Sequence, residues 1–212
     1  MLKMTGVTRF CANLFSYIFH PLFISSYVMA FLIFVHPMAF AEFDPQTKML
    51  RFLNILLCNV LFPAFSVFMM WRLKLFITSI YLRTGKERLV PYLIAMIFYW
   101  WTWILYKNWT DAPAVAVHFL AGSFFALCGA WLCNIYFKIS MHTVAIGSAF
   151  LFFFLFSFTD DYASGLYLSI VILVAGLVAT SRLLVSAHSN FEIWSGLFIG
   201  MLGQLLGWYW PF

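Results

Sequence analysis

Long apolar runs alternate with short polar breaks along almost the whole chain. Seven runs stand out: Leu14–Phe40, Leu50–Trp71, Pro91–Tyr106, Pro113–Phe137, Thr143–Phe158, Leu166–Val185 and Phe191–Trp210. A helix crosses the hydrocarbon core of a bilayer with about 20 apolar residues, within a range of about 17–25. The third and fifth runs sit at the short end of that range. Lipid offers the backbone no hydrogen bonds, so each crossing must be a helix that satisfies itself. The pattern predicts an all-α polytopic membrane protein: one bundle of six to seven transmembrane helices, with a single active site at a membrane face and no second domain. The first run ends in Ala39-Phe40-Ala41, which resembles a signal-peptidase site. A signal peptide has an apolar core of only about 7–15 residues, so a retained first span is expected. Pro91 is read as opening the third helix.

Composition agrees with this class. Hydrophobic residues make up 65% of the chain and charged residues 9%, where a soluble domain holds roughly half and a quarter. Trp100, Trp101 and Trp103 are read as a lipid-facing aromatic belt. Cys11, Cys58, Cys128 and Cys133 lie in or beside apolar runs and form no CxxC pair, so they are read as buried thiols. His20, His36 and His118 are read as packing or interfacial residues. The formal net charge is +5, but most cations gather in a few breaks, so their placement matters more than their sum.

Three breaks hold the candidate chemistry. Arg83, Lys86, Glu87 and Arg88 precede the third span. Lys138-Ile139-Ser140-Met141-His142 follows the fourth. Thr180–Glu192 takes in the end of the sixth and the break after it, and places Ser181, Arg182, His188 and Glu192 within thirteen residues. Two crossings separate each break from the next, so all three emerge on one membrane face, and Asp160 and Asp161 emerge on the other. Arginine is a fixed cation whose fork of donors suits phosphate. Histidine serves as nucleophile or proton carrier near neutral pH, and a carboxylate four residues on can orient its ring. Cations around two histidines suit phosphoryl transfer, which needs charge neutralisation, a positioned nucleophile and a proton for the leaving oxygen. The clustered carboxylates of an Mg²⁺ cage are missing from this face, so a metal-free mechanism with a histidine nucleophile is expected. No cofactor and no nucleic-acid partner is called for. Plainer roles exist for some of these residues. Ser189-x-x-Glu192 and Thr84-x-x-Glu87 both have the form of a capping box; Glu192 is given the ring-orienting role as well, and Glu87 the cap alone. Arg182 and Lys138 also sit where cations snorkel or anchor at helix ends.

These residues resemble the motifs of the type-2 phosphatidic acid phosphatase family, which shares its fold with vanadium haloperoxidases. The family carries Lys-x6-Arg-Pro, Pro-Ser-Gly-His and Ser-Arg-x5-His-x3-Asp. The third motif is matched by Ser181-Arg182-x5-His188-x3-Glu192, with Glu for Asp. The second is matched by Ile139-Ser140-Met141-His142, which keeps Ser and His and loses Pro and Gly. The first corresponds to Arg83–Pro91, where no Arg stands directly before Pro. The resemblance covers residues 83–200 or so. It implies that His188 attacks phosphorus, that Glu192 holds its ring, and that His142 protonates the leaving oxygen and then activates water. With His188 neutral and His142 cationic at the start, the pH dependence is bell-shaped. Arg182, Arg88, Lys86, Ser140 and Lys138 would hold phosphate oxygens, with Arg88 placed ahead of Lys86.

The implied substrate is a membrane lipid phosphate or pyrophosphate, of the undecaprenyl pyrophosphate, phosphatidic acid, phosphatidylglycerol phosphate or lipid A type. The rival readings are a transporter or channel, and an inactive scaffold of the same fold. Intramembrane charges also mark transport paths, but here the charges collect at one face. Nine of the twelve Lys and Arg residues fall on the motif face, which by the positive-inside rule puts it in the cytoplasm. Five of the nine belong to the proposed site, and bacterial relatives generally work on the outer side of the inner membrane. A bacterial inner membrane, with the site on the periplasmic face, is therefore expected.

Overall fold

The computed structural model describes residues 6–75, 85–162, 165–185 and 188–211, with the backbone alone at Gly85 and Lys86. The helix α1 (Gly6–Ile18) is followed by α2 (Pro21–Ala30), which runs on through a wider, π-type turn, Phe31–Val35. A second π-type stretch, Leu56–Leu61, joins α3 (Pro45–Ile55) and α4 (Phe62–Arg72) into one crossing. After these come α5 (Gly85–Asn108), α6 (Ala114–Tyr136), α7 (Met141–Thr159), α8 (Gly165–Leu184) and α9 (Asn190–Tyr209). Among the described residues five helices are long and apolar enough to cross a membrane, or six when Gly6–Ile18 and Pro21–Val35 count as one bent span. The protein is an all-α polytopic integral membrane protein. The seventh predicted span forms α9, which is not among those six.

The first predicted span is not one helix. The chain bends by 60° between α1 and α2. Pro21 has no N–H with which to continue α1, and the His20 imidazole caps α2 by accepting from the Leu22 N–H at 3.4 Å. α1 is amphipathic: Val7, Phe10, Leu14 and Tyr17 form one exposed stripe, while Ala12 and Ser16 are buried on the side that packs on α8. Pro21–Val35 runs alongside α7. His20 at its start lies beside His142 in the first turn of α7, and His36 just past its end is 3.3 Å from Asp160 just past the end of α7.

Three smaller expectations also change. Pro91 lies inside α5, which starts six residues earlier, so the third crossing is not short. Trp103 is buried, stacked on Phe124 of α6 at 5.6 Å between ring centroids, while Trp100 and Trp101 are exposed. Cys58 is buried, but Cys11 is exposed on the outer side of α1.

Packing is organised by α9, which lies against both α6 and α7. It does so through glycine. A Cβ on Gly200 would come within 2.1 Å of the Val144 carbonyl oxygen of α7, and one on Gly203 within 2.2 Å of the Ala126 nitrogen of α6. Lipid supplies no hydrophobic force between helices, so close backbone approach at small residues is what joins them. Gln204 is fully buried between the same helices. Ser148 Oγ donates to its Oε1 at 3.0 Å, and its Nε2 donates to the His118 carbonyl at 3.3 Å. This packing holds the first turn of α9 against the start of α7, where the Ser140 N–H donates to the Glu192 carbonyl at 3.2 Å. The second and third motif segments are thereby joined through backbone.

At the face opposite the motifs, charges are matched. Arg51 Nη2 donates to both carboxylate oxygens of Asp111 at 2.7 Å, and its guanidinium lies over Trp109 at 4.1 Å. The bond to Arg51 holds the Asp111 carboxyl below its ordinary range.

Candidate active site

Four of the predicted site residues line one cavity of about 450 Å³: Arg88 from α5, His142 from α7, Arg182 from α8 and His188 from the loop before α9. Met141 lines it too, at the position where the resemblance would have glycine.

His188 is set by the cap that follows it. Ser189 Oγ accepts from the Glu192 N–H at 3.3 Å, so the predicted cap bond is made. The same turn brings the Glu192 carboxylate to the His188 ring, with Nδ1 2.5 Å from Oε2. Cap and ring contact coexist, because a residue four positions on returns to the same side of a helical turn. Nδ1 carries the proton in that bond, which leaves the lone pair on Nε2. Burial pushes the His188 imidazole below its ordinary range; the bond to Glu192 opposes this, and the cations Lys138 and Arg182 reinforce it.

His142 is set from an unforeseen direction. Its Nε2 is 3.1 Å from the carbonyl oxygen of Ser16, in the last turn of α1. Carbonyls at a helix C-terminus have no partner within the helix, and a carbonyl only accepts. Nε2 therefore carries the proton, and Nδ1 is the nitrogen left to exchange one. Ser16 also meets Arg182, whose Nη1 donates to its Oγ at 3.2 Å. The Nε of Arg182 is buried without a hydrogen-bond partner, and Arg182 has no acidic partner among the described residues. A buried guanidinium with a donor to spare suits an oxyanion. Arg88 Nη1 donates to the Ile139 carbonyl at 3.3 Å, tying α5 to the turn before α7.

Two predicted phosphate ligands do not line the cavity. Ser140 is fully buried, with its Oγ unpartnered and its N–H spent on Glu192. Backbone pairing with α9 turns it away from the cavity wall. Lys138 acts on the site through its field at His188. Arg83 and Thr84 lie outside the described residues, as does the side chain of Lys86. Conversely, His20 was read as a packing residue and lies in the cavity wall, edge-on to His142 with 5.5 Å between ring centroids. The last turn of α1 carries Ser16 here, and the break that follows it carries His20. That break is hidden inside an apolar run, and the His20-Pro21 step is its signal in the sequence.

Beyond this charged end the wall is mostly apolar, with the Ser123 and Ser148 hydroxyls among it. Ile24, Val67, Ala95, Leu127 and Ala145 line it, and at the far end the hydroxyls of Ser25 and Tyr99 bond each other at 3.2 Å. From Arg88 to Tyr99 α5 rises about 16 Å. Ala64 of α4 both lines the cavity and is exposed. No protein-family model, curated protein or solved structure matches this chain.

Proposed function

We propose that the protein is an integral-membrane phosphohydrolase of the type-2 phosphatidic acid phosphatase superfamily. It releases phosphate from a lipid phosphate or pyrophosphate through a phosphohistidine. The observation that carries this reading is convergence: two histidines and two arginines from four separate segments share one cavity, and the rest of its wall is mostly apolar.

In this mechanism Nε2 of His188 attacks phosphorus. The bond from phosphorus to the lipid oxygen breaks, and that oxygen takes a proton from Nδ1 of His142. Glu192 accepts from Nδ1–H of His188 and offsets the positive charge that develops on the ring. Water then attacks the phosphohistidine and gives its proton to His142. Inorganic phosphate leaves and His188 is restored. Arg88 and Arg182 neutralise the charge on the transferring group, and the Ser16 carbonyl does for His142 what Glu192 does for His188. The mechanism draws on side chains and backbone alone.

The apolar chamber suits an acyl or prenyl chain that enters from the bilayer past Ala64. Undecaprenyl pyrophosphate, phosphatidic acid, phosphatidylglycerol phosphate and lipid A all combine such a chain with a phosphate head. With this reading goes a bacterial inner-membrane location and a periplasmic site. A Gly85→Cys variant is then labelled in intact cells by an impermeant thiol reagent.

Purified protein given mixed lipid phosphates is expected to release inorganic phosphate. Rapid quenching is expected to trap acid-labile phosphate on histidine. His188→Ala is expected to abolish both. Undiminished release by a folded His188→Ala variant overturns the reading, and solute uptake into vesicles without phosphate release favours transport.

A further inference from the structure

We propose that His20 is a further ligand of the phosphate group, donating its Nε2–H to a phosphate oxygen beside His142; the proposal rests on reading the cavity as a phosphate site. His20 comes from the break between α1 and α2, well outside the segments that carry the three motifs.

Three observations lead here. The His20 ring lines the same cavity as Arg88, His142, Arg182 and His188. It stands edge-on to His142 at 5.5 Å between centroids, with an interplanar angle of 80°. Its Nδ1 accepts from the Leu22 N–H at 3.4 Å. The third decides the chemistry. A ring that accepts at Nδ1 is neutral and carries its proton on Nε2, so it can only donate from that nitrogen. The polar groups that share the charged end of the cavity are guanidinium and imidazole groups and the Tyr92 hydroxyl beside Arg88, and among the described residues no carboxylate lines it. A neutral N–H donor in such a ring adds a hydrogen bond to an oxyanion without adding charge. The ligand is a tetrahedral oxyanion, whether the head of a lipid or free inorganic phosphate.

His20 has a plainer role as the N-cap of α2, and the test separates the two. His20→Asn keeps a side chain that caps well but loses the ring and its Nε2. His20→Ala loses both. For purified protein, His20→Asn is expected to keep its thermal midpoint within about 2 °C. Its affinity for inorganic phosphate, followed by ³¹P line broadening, is expected to fall about 10-fold or more. With a lipid phosphate, KM is expected to rise by more than kcat falls. Wild-type phosphate affinity in a stable His20→Asn protein, or no phosphate binding by the wild type, overturns the proposal. Weakened phosphate binding in His20→Asn, with no release from any lipid phosphate by the wild type, supports the His20 contact and removes the phosphatase reading instead.

Discussion

The two ends of the bundle treat charge in opposite ways. At the far face Arg51 is matched by the carboxylate of Asp111, and His36 meets Asp160. At the motif face Arg182 is half-buried beside histidines with no acidic partner among the described residues, and the Glu192 carboxylate is committed to His188. Each of the two guanidiniums keeps a buried nitrogen without a hydrogen bond, Nη1 of Arg51 and Nε of Arg182, but of the two Arg51 has the carboxylate beside it. A desolvated cation without a counter-ion is held at a cost, and an arriving anion relieves that cost. The far face is therefore read as scaffold and the motif face as a binding end, although both are built from the same residue types.

The comparison can be broken most directly by mutation at both ends. His188→Ala is expected to abolish phosphate release, and Glu192→Gln to lower kcat by about 10²–10⁴-fold. Arg51→Ala and Asp111→Asn are expected to leave kcat within about twofold. A comparable loss of activity from either far-face change would end the distinction. Next in size, Arg182→Ala is expected to cut kcat/KM by about 10²–10³-fold. Arg182→Lys is expected to recover only part, because an ammonium cannot present the same fork of donors. Steady-state kinetics on one lipid phosphate measures all of these.

A smaller effect concerns pH. Burial depresses His188, and Lys138 reinforces this. The acid limb of the rate is thus expected below the ordinary imidazole value of about 6.5. Lys138→Gln removes one lowering influence, so that limb is expected to move to higher pH. The same shift has a sign for stability. With the folded value depressed, the unfolded chain binds more protons on acidification. Stability is therefore full above the unfolded value and declines as pH falls toward the folded one. Smallest of all, Arg51→Ala is expected to lower the thermal midpoint by about 2–4 °C through lost contacts with Trp109 and Asp111, while phosphate affinity is unchanged.

Much of the fold could be read from the chain, but unevenly. Crossings two to six follow apolar length. The first failed because apolar content does not report direction: Leu14–Phe40 is greasy throughout, yet Pro21 and the His20 cap bend it by 60°. The glycines of α9 passed unremarked, although Gly196-x3-Gly200 is a known signature of close helix approach. Within the candidate site, the partnership of His188 with Glu192 was legible, because four residues is one helical turn. The contact of Ser16 with His142 spans 126 positions and has no local trace.

By itself the sequence determined the membrane class, the helical content, the common face of the three polar breaks and the pairing of His188 with Glu192. Each of these depends on neighbours within a turn or on the count of crossings. Only the tertiary structure decided that the break after α1 delivers His20 to the cavity and the last turn of α1 brings Ser16 to His142 and Arg182, that Ser140 turns aside to pair with Glu192, and that Trp103 faces inward. Those outcomes depend on which helix lies beside which, and that is set by backbone approach at glycine and by buried hydrogen bonds between residues far apart in the chain.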